Sequence, residues 1–324
     1  MSAYAEYATR HRLRWWEALP WLAGLAAFFA FPNYLAFGTE VLVTILFALS
    51  LDLVLGYAGI VTLGHAAFFG AGAYTVAMLA AHAGWNEPLS GLAAAAAVAG
   101  LLGLASGWVL LRTHGLALLM LTLCTMALFE QAANMGAAWT GGFDGMPGLA
   151  FQSILGAFEF DVLYFRSQYL YALAVLFAGF VAVRAWVYSP FGRSLTGIRE
   201  NVLRMHAVGA PVRARQVLVY ALSAALAGVA GGVFVQSIGY VNLSVLGLER
   251  SAGVLIILIL GGYGRLYGAF IGALVYLLLE HTLSKAYPTA WQLGLGLTLM
   301  LVALYARNGI LGLADAARRR WNAR

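Results

Sequence analysis

Charge and cysteine are both scarce in this sequence of 324 residues: 10% of it is charged, and Cys124 is its single cysteine. Soluble domains carry roughly 25% charged residues. A water-facing surface cannot be built from so few charges, which excludes a soluble globular enzyme. One cysteine leaves no disulfide framework and no thiol metal cluster; set in an apolar run, Cys124 reads as a small buried apolar residue. The six histidines show no HExxH or comparable ligand spacing, so no metal site is expected. No GxxxxGK[ST] loop is present, so this chain is expected to bind no nucleotide cofactor. The run Gly231-Gly232-Val233-Phe234 lacks the lysine and reads as close helix packing through small residues. Trp15, Trp16, Trp21 and Tyr34 fit interfacial belts, and no nucleic-acid partner is expected.

What is abundant is apolar sequence: 62% of residues are hydrophobic and the mean hydropathy is +0.83. A bilayer-spanning helix needs roughly 20 apolar residues. The expected fold is an all-α polytopic membrane protein of about ten transmembrane helices. The spans fall near 20–37, 39–56, 60–81, 89–111, 115–135, 168–188, 216–235, 251–262, 266–281 and 288–306. The first follows the basic stretch Arg10–Arg14 and could be a signal peptide, but no clear small-residue cleavage site follows, and an uncleaved helix is the better reading. The eighth and ninth are short and flank Gly261-Gly262-Tyr263-Gly264-Arg265; they are two tilted spans or a re-entrant pair, and two spans are favoured. With the N-terminus inside, every basic residue except Arg166, Arg250 and Lys285 lies inside or at the inner interface, as the positive-inside bias requires. Both termini are therefore expected in the cytoplasm. The domain reading is a cytoplasmic segment 1–19, a membrane domain 20–307 and a basic tail 308–324.

Two connections are long. The outer one, near 136–167, holds Gly141-Gly142-Phe143-Asp144-Gly145 and the acidic pair Glu159 and Asp161. The inner one, near 189–215, is broken at Pro190 and Gly192 and then carries one short amphipathic helix near 195–208. Leu195, Ile198, Val202, Met205 and Val208 form its apolar stripe, and Gly209, Ala210 and Pro211 end it. Such a helix can lie on anionic headgroups or dock in a groove of a partner protein.

Ionisable residues inside spans cost about 2.5–3.5 kcal/mol each at a helix centre. Asp52, His65, Glu130 and Glu280 are the candidates, with Glu40 at the outer interface. They could line a substrate path. Alternatively, Asp52 and His65 form a structural pair, and Glu130 and Glu280 sit at an interface. An ion-coupled secondary transporter would use Asp52, His65 and Glu130 as a relay but would leave the inner helix without a partner. No paired catalytic motif supports an intramembrane enzyme.

Several segments carry a resemblance. Residues 51–59, LDLVLGYAG, lead into residues 63–74, LGHAAFFGAGAY, much as in LivM-type permeases of branched-chain amino acid ABC importers. Residues 140–145, TGGFDG, are similar to that family's outer TGGxxG segment. Gly192-Arg193-Ser194-Leu195, Ile198-Arg199-Glu200-Asn201 and Gly209 resemble its inner coupling segment, and residues 223–232 and 260–264 resemble its SAALAGLAGAL helix and LGGxG turn. Thr62 stands where Ser is common, and Met146-Pro147 replaces a small pair. The likeness spans about residues 40–310. It implies a permease of a bacterial inner membrane that translocates an amino-acid substrate by alternating access. Its inner segment, 190–213, would dock on an ATPase through Gly192, Arg193, Arg199, Glu200, Asn201, Met205 and Gly209. The implied partners are a LivH-like permease, two ATPases that carry ATP-Mg, a periplasmic solute-binding protein and the lipid bilayer. Asp52, His65, Tyr74 and Glu130 are the candidate path residues. Urea or a short amide is the alternative substrate.

Overall fold

Uncharged runs of Leu, Ala, Val and Phe in apolar surroundings offer the backbone no partner but itself, and helix satisfies every peptide group internally. The computed structural model describes residues 15–151, 165–288, 290, 293–294, 296–297, 300 and 309–312. Among the described residues every regular element is helical, apart from one isolated antiparallel pairing of Met146 with Val241. The α-helices of more than four residues are α1 (Leu19–Ala30), α2 (Leu35–Asp52), α3 (Ala66–Ala83), α4 (Pro88–Leu110), α5 (Leu116–Met135), α6 (Phe165–Tyr188), α7 (Pro190–Glu200), α8 (Val202–Ala207), α9 (Val212–Ile238), α10 (Leu248–Gly261) and α11 (Gly268–Ala286). Seven stretches are long and apolar enough to cross a membrane: Pro32–Tyr57, α3, α4, α5, α6, α9 and α11.

Helix α9, 27 residues long, is the spine. It packs on α3 and α4 through residues small enough for backbones to touch. A Cβ on Gly72 would strike the Gly228 backbone, and one on Gly231 would strike the Phe69 carbonyl. Gly103 lies equally close to Ala224. On the other flank α2 packs against α6 and α9, and α10 pairs with α11 where Gly272 sits on the Ile257 carbonyl.

Several expected boundaries move. The break between the first two segments is at Phe31-Pro32 rather than near Gly38: the residue before a proline is pushed out of helix, and Phe31 has φ −129° and ψ 61°. Gly38 lies inside α2, against the ring of Tyr169. Helix α1 has 12 residues and α10 has 14, both short of a full span. Helix α3 starts at Ala66, not Ile60, because residues 58–65 run irregularly within the protein. Most of the tenth segment, most of the tail and the pair Glu159 and Asp161 lie outside the described residues. The inner connection holds two helices. Pro190 opens α7, for which Ser189 is the N-cap, and Gly192 lies in its first turn as part of the helix rather than as a breaker. Cys124 is exposed, a correction to the buried reading: it falls on the outward face of α5.

Candidate functional site

Polar side chains concentrate where helices are interrupted. Helix α2 ends at Asp52 and continues as a wider π-helical turn, Leu53–Tyr57. The Asp52 carboxylate accepts a hydrogen bond from the Gly264 backbone N–H at 2.6 Å, and its second oxygen has no partner among the described residues. Arg199 of α7 donates to the Gly56 carbonyl, lies 5.5 Å from the Tyr263 ring centroid and attracts the Asp52 carboxylate. Any side chain on Gly56 would run into Asp52 and the Gly264 backbone, and one on Gly59, whose φ is +72°, would press on Arg199. One joint therefore ties the end of α2, the inner helix α7 and the turn between α10 and α11.

A second polar cluster lies deeper. His65 Nε2 is 2.9 Å from Ser50 Oγ and 3.5 Å from Ser223 Oγ, and the Ser223 hydroxyl donates to the Ser50 carbonyl. The imidazole stacks on Phe47 at 5.5 Å, and its Nδ1 has no partner among the described residues. His65 thus clasps α2, the start of α3 and the middle of α9. Asp52 and His65 do not pair with one another, which corrects the structural-pair alternative; each has its own partners. Nearby, the Ala66 N–H donates to Ser251 Oγ at 2.9 Å and the Leu63 N–H to Thr122 Oγ1 at 3.3 Å. These bonds satisfy backbone that the irregular stretch would leave orphaned.

The remaining path candidates lie apart. Tyr74 is buried on α3 with its hydroxyl unpartnered among the described residues, and its electrostatic neighbour is Tyr240. Glu130 is partly buried on α5 and bonds neither Asp52 nor His65. An apolar groove of about 790 Å³ between α1, α2, α6 and α11 presents few groups that could recognise a charged molecule.

In the inner segment, a Cβ on Gly192 would strike the Val187 carbonyl, so only glycine fits there. Arg193 and Glu200 are exposed. Asn201 separates α7 from α8: its backbone is extended, φ −158°, and its Oδ1 accepts from the Arg204 N–H at 2.9 Å. The single expected helix is therefore split, since a capping asparagine offers the backbone a competing bond. Met205 folds back on Gly197. Gly209 follows in the left-handed region, φ +80°, with open space around it. Leu203 and Val208 stand out at 81% and 77% exposure.

Sequence reasoning missed Ser50, Ser223, Ser251 and Arg250. Each hydroxyl is isolated in an apolar run and looks like ordinary small-residue packing, and Arg250 counts only as an outer charge. The signal was present in Arg250, a cation next to apolar sequence with no nearby acidic residue except Glu249.

The comparisons agree with this architecture. The family model described as "Branched-chain amino acid transport system / permease component" matches residues 33–304. The high-affinity branched-chain amino acid transport system permease protein LivM of Escherichia coli (strain K12) is 27% identical over 297 residues, 84% of this chain and 68% of the relative. LivM of Salmonella typhimurium is 28% identical over the same shares. The autoinducer 2 import system permease protein LsrC of Klebsiella pneumoniae is 30% identical over 212 residues, 61% of this chain and 57% of the relative. No solved structure matches the chain. With most of its length matched, and helices tied through interrupted segments, the chain belongs to the family of branched-chain amino acid transport system permease components.

Proposed function

We propose that this permease is one membrane subunit of an ATP-driven importer that carries leucine, isoleucine or valine across a bacterial inner membrane. The observation that carries the reading is the α7–α8 pair. It projects exposed Leu203 and Val208, and its Arg199 reaches back into the interrupted end of α2. A helix pair with an apolar tip and a polar root is suited to passing a push from a docked ATPase into the membrane domain. In this reading the chain crosses the membrane about ten times with both termini in the cytoplasm. Its partners are a LivH-like permease, two ATPases holding ATP-Mg, and a periplasmic solute-binding protein. Gly192, Arg193, Arg199, Glu200, Asn201, Met205 and Gly209 form the docking segment. The LivM relatives' printed function supports the substrate class.

The test is uptake into vesicles holding the assembled importer. Labelled leucine should enter only with ATP and both ATPases present. Uptake driven by a proton or sodium gradient alone would refute the reading. Uptake of autoinducer 2 without leucine would replace the substrate by the one named for the LsrC relatives.

A further inference from the structure

Two helices begin part-way along the spine. Ser223 lies near the middle of α9, and His65, just before α3, is within hydrogen-bond reach of it. The Ala66–Ser251 bond brings the first turn of α10 to the same level. The N-terminal ends of α3 and α10 therefore meet inside the bundle, and the positive ends of their dipoles reinforce one another. A cation is the least welcome charge there, yet Arg250 occupies the first turn of α10, next to Glu249.

The arginine is held by rings, not by an acid. Its guanidinium lies 4.7 Å from the Phe69 centroid and 4.5 Å from the Phe234 centroid. Among the described residues it forms no ion pair and no hydrogen bond. Glu40 on α2 and Glu280 on α11 act on it electrostatically, and on each other, without contact. Aromatic rings occupy the faces of a guanidinium; its five N–H donors lie in the plane and suit a carboxylate taken in two-pronged fashion. Besides the adjacent Glu249, the cluster thus offers one cation, two helix ends that favour an anion, and two carboxylates, Glu40 and Glu280, that act on that cation through their charge. That arrangement complements a zwitterion.

We propose that Arg250 receives the α-carboxylate of the transported amino acid, with Glu40 and Glu280 facing its ammonium group. The proposal rests on the amino-acid reading above and adds the place in this chain where the substrate is held.

The test uses the complete importer in vesicles, with ATP, loaded binding protein and labelled leucine. Arg250→Gln is expected to lower leucine moved per ATP hydrolysed by about tenfold or more. Hydrolysis stimulated by the binding protein should stay within about twofold of wild type, a split that a merely structural role would not produce. Wild-type transport per ATP in Arg250→Gln overturns the proposal. Should that variant fail to insert, Arg250→Lys carries the test: it keeps the charge but not the fork, a several-fold loss is expected, and full transport overturns the site. Wild-type vesicles that hydrolyse ATP but move no leucine overturn the amino-acid reading itself, a result visible before any variant is compared.

Discussion

The seam where α9 meets α3 and α4 and the joint where Asp52, Arg199 and Gly264 meet are built from opposite materials. The seam is made of glycine and alanine, with Gly72 on Gly228 and Gly103 on Ala224. Backbones lie so close that only one arrangement fits, and dispersion contacts hold it. The joint is made of a carboxylate, a guanidinium and backbone groups at breaks in helices. Directional bonds can be exchanged for others at modest net cost. A close-packed seam resists displacement, whereas a hydrogen-bonded joint can be remade, so motion is expected at the joint while the seam travels as one body.

Substitutions can break that contrast. Gly72→Leu should have the largest effect on stability, about 3 kcal/mol or more from forced overpacking; thermal aggregation of the detergent-solubilised protein measures it, and a near-native transition would mean the seam is loose. Asp52→Ala strips the Gly264 N–H of its acceptor and should cost about 1–3 kcal/mol. Asp52→Asn, which keeps an acceptor oxygen, should recover most of that in the same assay. Arg199→Ala is expected to cost about 1 kcal/mol but to lower transport per ATP in the assembled importer. Intact coupling would assign the joint to stability alone. Leu203→Asp, on the exposed tip of α8, should alter the melting transition by less than about 0.5 kcal/mol. It should nevertheless reduce co-purification of the ATPases, as should Glu200→Arg and Gly209→Trp; normal recovery of all three would refute the docking role.

The composition and runs of this sequence reveal the long helices well, because apolar length is a direct demand of the bilayer. They say little about where a helix stops inside the protein. Residues 58–65 form part of an apolar run, and the irregular path there and into Ala66 depends on backbone N–H groups donating to Thr122 and Ser251, far along the chain. Long-range partners of that kind leave no periodicity to read. Pro32 does announce a break, although the expected spans part at residue 38; the neighbour of Gly38 in space, Tyr169, is absent from any local window. Asp52 and His65 stand out as polar residues in apolar runs, but their partners, a backbone N–H and two serines, have no distinctive spacing. Asn201 is legible in hindsight as a cap, and it divides what hydrophobic periodicity joins.

The π-helical turn at Leu53–Tyr57 has one more consequence. Such a turn stores an extra residue within an otherwise regular helix. Releasing it into α-helical register would advance the following chain by about 1.5 Å and rotate it by about 100°. That rotation would carry the Gly56 carbonyl away from Arg199 while leaving the helix above it undisturbed. The bundle therefore contains a reserve of chain length at the place where its inner helices take hold.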